Sequence, residues 1–395
     1  MEQERGAGAI PPLLLSEAYS TAVTSHANTL AGSPRSAIIS PVVDALCAGG
    51  LSLLVLGPLL VLGRTDLLLL SVGVQAWVGA LVNMPHFLAS YRMVYRTRDS
   101  IRAHPWAAVY VPSILLCCCI AAVVASQWTP FPISALITIS SSYLAWHYTA
   151  QAWGMIAAFA HLDGASFNPR ERHLVRGSLI ILMAWHVVWF FHLGYHDYFD
   201  LTAVYEGLSV LTAVALAMGL AGFWLHRART GRWVPLRAWI PWVAIFVWYA
   251  AMARVGLPAL FVVQIAHALQ YLIFPVRVEV NRTRREIPGG TPRELVALHM
   301  AVYLVVLLAG SIVAAIALPL GAMAVVTDWL GSRPGQVVGF AISTFFNIHH
   351  YFTDGVVWKL RNPAVREDLF GHLAAPAPVR AISPVAAPRR RRRRR

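Results

Sequence analysis

The sequence predicts an all-α fold: a polytopic membrane helical bundle of about ten transmembrane helices with both termini cytoplasmic. Three observations lead there. The chain is 57% hydrophobic and 13% charged, whereas a soluble domain carries about 25% charged residues. Its mean hydropathy is +0.59. Finally, the arginines fall between the apolar stretches in a regular alternation.

A helix needs about 20 apolar residues to cross a bilayer. By that rule spans are expected at 43–63, 67–91, 105–125, 131–162, 174–194, 207–226, 236–256, 257–275, 295–317 and 336–358. The fourth is too long for one upright crossing, so it must tilt or run on into the cytoplasm. The seventh and eighth are joined tightly around Arg254 and Pro258.

Loops after even-numbered spans are basic. They carry Arg92, Arg96, Arg98 and Arg102, then Arg170, Arg172 and Arg176, then Arg227, Arg229, Arg232 and Arg237, then Arg277, Arg282, Arg284, Arg285 and Arg293, then Lys359 and Arg361. Loops after odd-numbered spans are neutral or acidic, as at Asp197, Asp200 and Glu206. The positive-inside rule puts the basic set in the cytoplasm. The basic charge is almost all arginine, a bias that suggests a GC-rich bacterial genome and hence a bacterial inner membrane.

Three regions are expected: a weakly ordered tail over 1–40, the transmembrane domain over 41–361, and a Pro/Ala-rich tail over 362–395 ending in Arg389–Arg395. The first 40 residues lack the charged-then-apolar pattern of a signal peptide. The arginine run suits anionic lipid headgroups; no nucleic-acid partner is expected. Cys47, Cys117, Cys118 and Cys119 contain no CxxC pair and read as small packing residues. There is no P-loop, GxSxG motif or dinucleotide fingerprint.

With short loops, chemistry must sit among the helices, and ionisable residues inside spans are functional candidates. Inward-running spans carry them at a common depth. The second holds Asn83, His86 and Ser90. The fourth holds His147 and Gln151, then His161 and Asp163. The eighth holds Gln264, His267, Gln270 and Tyr271, and the tenth Asn347, His349, His350, Tyr351 and Asp354. Four histidine-bearing segments at one depth point to one polar cavity opening to the cytoplasm. Positions i and i+4 share a helix face, so Asp354 can reach back to His350, while His349 lies about 100° round the helix.

The expected metal ligands are His86, His147, His267, His349, His350 and Asp354, with His350 and Asp354 as catalytic residues. Gln151, Gln270 and Tyr271 are expected around the cofactor. Non-haem iron suits this mixed His/carboxylate set, and zinc uses similar ligands. The bland alternative is an interhelical hydrogen-bond cluster, worth about 1 kcal/mol or less per bond. That is a small return for burying several titratable groups. His192, His196 and Asp197 form an outer-face group that an aromatic belt would equally explain; His186 and His299 are further isolated histidines.

Two resemblances add to this reading. His349-His350-Tyr351-Phe352-Thr353-Asp354-Gly355 resembles the HHxxxDG motif of condensation domains and wax-ester/diacylglycerol acyltransferases. That resemblance implies acyl transfer through His350, with Asp354 structural, in a soluble α/β fold. Met84-Pro85-His86, Trp146-His147-Tyr148, Ala266-His267 and His350-x3-Asp354 are similar in layout to Brp/Blh-type membrane carotenoid oxygenases. Here Pro85-His86-Phe87 stands for that family's PHG, and His147-Tyr148-Thr149 for its HFG-type motif. This resemblance implies a non-haem iron oxygenase.

The leading expectation is therefore an O2-dependent oxidoreductase, an oxygenase or desaturase, acting on a lipophilic substrate and served by an electron-donor protein. Alternatives are a metal-free lipid acyltransferase with His350 as base, a proton-coupled transporter, and haem ligation between facing histidines.

Overall fold

A computed structural model describes residues 37–195, 198, 200–286, 292–358 and 362–373. Every element among them is helical. In chain order they are α1 (Pro41–Val61), α2 (72–95), α3 (Arg98–Ala103), α4 (Trp106–Ala125), α5 (Phe131–Leu162), α6 (Pro169–Tyr195), α7 (Thr202–Thr230), α8 (Leu236–Val255), α9 (Leu257–Glu286), α10 (Arg293–Leu330), α11 (Ser332–Val357) and α12 (Pro363–Phe370).

Seven of these are long and apolar enough to cross a membrane: α1, α4, α6, α7, α8, α9 and α10. The other long helices, α2, α5 and α11, fall outside that set. They are the helices that carry His86, His147 and His350. Polar residues on these three helices lower their apolar signal, whereas α9 keeps its own while carrying His267.

Prolines shape several helices. Wide π-turns at Gly79–Asn83, Trp106–Tyr110 and Val313–Ala317 each precede a proline by two residues: Pro85, Pro112 and Pro319. Proline has no N–H, and its ring clashes with the carbonyl four residues back; a wider turn makes room for it. The third π-turn lets α10 continue to Leu330, well past the span expected to end at 317. The chain then turns at Gly331 (φ +94°) straight into α11. The tight junction foreseen around Arg254 is Gly256 (φ +80°), whose N–H closes α8 on Met252 O at 2.9 Å. α1 bends at Gly49 (φ +132°), where a Cβ would meet Ala244 Cβ at 2.6 Å. α5 runs unbroken for 32 residues, as its length demanded.

Ion pairs gather the basic segments at one end of the bundle. Arg92 at the end of α2 meets Glu279 of α9, which also receives His299 from the start of α10 (2.8 Å). Arg237 at the start of α8 bridges Asp44 of α1 and Asp163 after α5. Arg229 of α7 holds Glu171 of α6. Residues 363–373, assigned to the tail by composition, are helical instead. Asn281 and Arg282 of α9 dock α12 through the Asp368 carbonyl (2.8 Å) and carboxylate (2.8 Å). Residues 1–36 and 374–395, Lys359 and Arg361 lie outside the described residues.

Candidate metal centre

Four helices bring one imidazole each to a common point: His86 from α2, His147 from α5, His267 from α9 and His350 from α11. None is more than 4% exposed. Ring nitrogens of His86, His267 and His350 all lie within 4.8 Å of one another, and so do ligand atoms of His147, His350 and Asp354. His147 Nε2 and His267 Nε2 are 3.0 Å apart, so one ring donates its proton to the other. The Asp354 Oδ2 atom stands 3.4 Å from His350 Nε2, the i to i+4 approach read from the sequence, and 3.7 Å from His147 Nε2.

Ser90 organises this set. It lies one turn after His86 on α2, and its hydroxyl donates to Asp354 Oδ1 at 2.6 Å. The same oxygen accepts from Tyr271 (2.5 Å) and from His350 Nδ1 (3.2 Å). With the His350 proton on Nδ1, its Nε2 lone pair faces the cluster. A metal-binding histidine has this arrangement, one nitrogen donating to a fixed partner and the other left for the ion.

The nitrogens left over test whether a metal fits. Both nitrogens of the fully buried His86 lack a hydrogen-bond partner, as do His267 Nδ1 and His350 Nε2. A buried polar atom without a partner costs about 1–3 kcal/mol. His86, His267 and His350 thus each keep a nitrogen without a partner, which is a poor structural device and leaves donors for a divalent cation. The mixture of imidazoles with one carboxylate suits iron or zinc. The separations are wide enough that small ring rotations would be needed to close on one ion.

The other expected residues divide. His349 turns away from the cluster: its Nε2 lies 3.0 Å from Ala107 O and 3.2 Å from Tyr95 OH, and its ring stacks on Tyr91 at 4.7 Å. The cause is Pro112. The π-turn of α4 sends the Val111 N–H to Trp106 O, and Pro112 has no N–H to give, so the buried Ala107 and Ala108 carbonyls need outside donors. His349 takes the first and Tyr95 the second, at 2.7 Å.

Gln151 and Gln270 form a brace rather than a cofactor shell. Gln151 donates to Gln270 Oε1 (3.2 Å) and His267 O (3.2 Å), and Gln270 donates to Ala48 O (2.7 Å) at the α1 bend. Tyr271 reaches the cluster through Ser90. Asn347 bonds back to Ser343 O in its own helix.

Further histidines are held elsewhere. His186 meets Tyr249 OH at 3.1 Å, His192 stacks on Tyr205 at 4.7 Å, and His299 pairs with Glu279. His161 is exposed, and Asp163 pairs with Arg237. His196 and Asp197 lie outside the described residues.

Sequence reasoning placed Ser90 on the right face of α2 without giving it a role; its i+4 spacing from His86 was the available signal. The Tyr148 ring, 4.7 Å from His267, carried no such signal.

A cavity of about 300 Å³ opens beside the cluster, with His147, Asp354, Tyr271, Phe274 and Trp358 in its wall. The chain matches no family model, no curated protein and no solved structure.

Proposed function

We propose that this protein is a metal-dependent membrane enzyme, an O2-dependent oxygenase or desaturase with non-haem iron, acting on a lipophilic substrate. The observation that carries this reading is the convergence of His86, His267 and His350 from three helices, nitrogens within 4.8 Å, with both His86 nitrogens unpartnered at full burial. His86, His147, His267 and His350, with Asp354, are the residues that would hold the metal. Iron bound there supplies dioxygen chemistry, and an electron-donor protein supplies the reducing equivalents.

The chain's own residues do the rest. Ser90 fixes the His350 tautomer, Asp354 provides the one carboxylate, and Phe87 and Tyr148 pack on His350 and His267 and hold water away. The similarity of layout to Brp/Blh-type oxygenases supports this reading, while the His349 of the HHxxxDG match faces α4.

In this reading α1, α2 and α4–α11 all span a bacterial inner membrane. The arginine-rich end, with both termini, faces the cytoplasm. α2, α5 and α11 are admitted as spans because their polar groups face each other rather than lipid.

Metal analysis by mass spectrometry on the detergent-purified protein tests the proposal, followed by oxygen uptake with lipid substrates. Near-stoichiometric iron, lost in His267→Ala and in His350→Ala, is expected. Folded wild-type protein that binds no transition metal on reconstitution would sink it. The 3.4 Å approach of His350 and Asp354 also suits a metal-free acyltransferase with His350 as base; activity that survives chelation would favour that reading.

A further inference from the structure

Helix-interior glycines cost about 0.5–1 kcal/mol each relative to alanine, and in this protein several of them have a packing reason. A Cβ on Gly219 would sit 2.2 Å from the Trp242 ring, and one on Gly222 would sit 2.7 Å from Val175. Gly154 on α5 and Gly355 on α11 are among the helical glycines at which a Cβ meets nothing within 4 Å, and of these they are the two that line the cavity. No close helix contact requires them. Both are exposed, and both line the cavity that reaches His147 and Asp354.

The outward face of α5 around this opening is apolar and bare. Ile139 (47% exposed), Tyr143 (41%) and Trp146 (44%) lead down one stripe to Ala150 and Gly154. Gly154 lies seven residues beyond His147, about 10 Å along the helix. α12 adds Leu369 to the cavity wall, 1% exposed, its carbonyl accepting from Asn281 at 3.3 Å. The exposed Gly154 and Gly355 place the opening on the flank that carries this apolar stripe.

We propose that this cavity is a sideways channel through which one unbranched apolar chain, of the acyl or polyene class, slides from the bilayer to the histidine cluster. Gly154 and Gly355 form its walls and set its width. This rests on the reading of a lipophilic substrate. The volume of about 300 Å³ is at the low end of the roughly 300–1,000 Å³ typical of ligand pockets. It holds one end of a chain while the remainder stays in the membrane.

Photolabelling tests this without relying on turnover. The full chain is reconstituted in liposomes containing a phospholipid with a diazirine at the end of one acyl chain, irradiated, and mapped by peptide mass spectrometry. Met155 and Tyr271 line the cavity but are 2% and 3% exposed, so only a chain inside the channel reaches them. Label at both is expected in wild type and is expected to be lost in Gly154→Leu/Gly355→Leu. The outward-facing Leu220, 44% exposed, serves as the unchanged reference. Ala150→Phe, on the same face of α5, gives the same loss by a separate route should the double variant fold poorly.

Wild-type protein unlabelled at Met155 and Tyr271, or variants labelled as strongly as wild type, would overturn the channel. Metal content read on the same samples separates the two ideas. Metal-free protein that still labels Met155 refutes the metal enzyme and supports the channel.

Discussion

The helices α2 and α9 contribute to two polar assemblies, and the two are built on opposite rules. Near their ends, Arg92 and Glu279 approach to 2.5 Å, His299 joins at 2.8 Å, and opposite charges answer one another. A few turns away, His86 and His267 meet His147 and His350, and like groups face like groups with nitrogens left over. In the first assembly the Glu279 carboxylate is met by Arg92 and His299 within the protein. The second is complete only if something positive is added. What separates the two is convergence: in the second assembly three imidazoles bring nitrogens within 4.8 Å of one another.

The strongest way to break this comparison is to remove one histidine of each kind. His350→Ala and His267→Ala are expected to lower metal occupancy at least about tenfold. His349→Ala, one position along the same helix, is expected to leave occupancy unchanged and to lose only its bonds to Ala107 and Tyr95. Mass spectrometry of the three variants side by side reads this directly. Equal metal loss in all three would mean that the cluster is not the site.

Ser90→Ala sharpens the comparison from within the cluster. It removes the acceptor of His350 Nδ1 and a donor to Asp354 without touching a ligand. Metal affinity should fall about 10–100-fold, as measured by competition with a chelator. A change below twofold would show that His350 is oriented by other contacts.

The depth and identity of the four converging histidines were legible in the sequence because helical periodicity and span direction fix them together. His349 was not. Its neighbour His350 is equally buried, and the choice between them depends on Pro112 in a helix whose place beside α11 no local pattern reveals. The span count shows the same limit. The apolar helices announce themselves, whereas α2, α5 and α11 are diluted by their polar residues. Likewise α12 reads as tail, since its docking rests on Asn281 and Arg282, far away in sequence.

The charged assembly gives the complementary experiment. Glu279→Gln leaves Arg92 and His299 without their carboxylate and should cost about 1.5–3 kcal/mol, the range for hydrogen bonds to charged groups. Arg92 is partly exposed, which favours the lower end. Metal occupancy should not change, so thermal stability and metal content should move independently. A Glu279→Gln protein that is as stable as wild type but metal-free would reverse the roles assigned to the two assemblies.

The smallest effect concerns α12, which adds Leu369 to the cavity wall. Burial pushes the Asp368 carboxyl up, but hydrogen bonds from Arg282 and Arg285 outweigh it and hold the group below the ordinary carboxylate range. A depressed carboxylate stabilises the docked state above its unfolded pKa, near 3.9 for aspartate, and that contribution is lost as pH falls through the lower folded value. Docking should thus be insensitive to pH from neutral down to about 4 and weaken only below it. Hydrogen exchange at 365–371 across an acid series reads this, with Asp368→Asn as the pH-independent reference, already loosened at neutral pH. A variant as protected as wild type would show that α12 is held by its apolar face and the Asn281 bonds alone, and exchange that rises between pH 7 and 5 in wild type would show that a group other than Asp368, such as His372 beside Asn281, controls docking. In either case the Asp368 ion pairs would contribute less to holding α12 than their geometry implies.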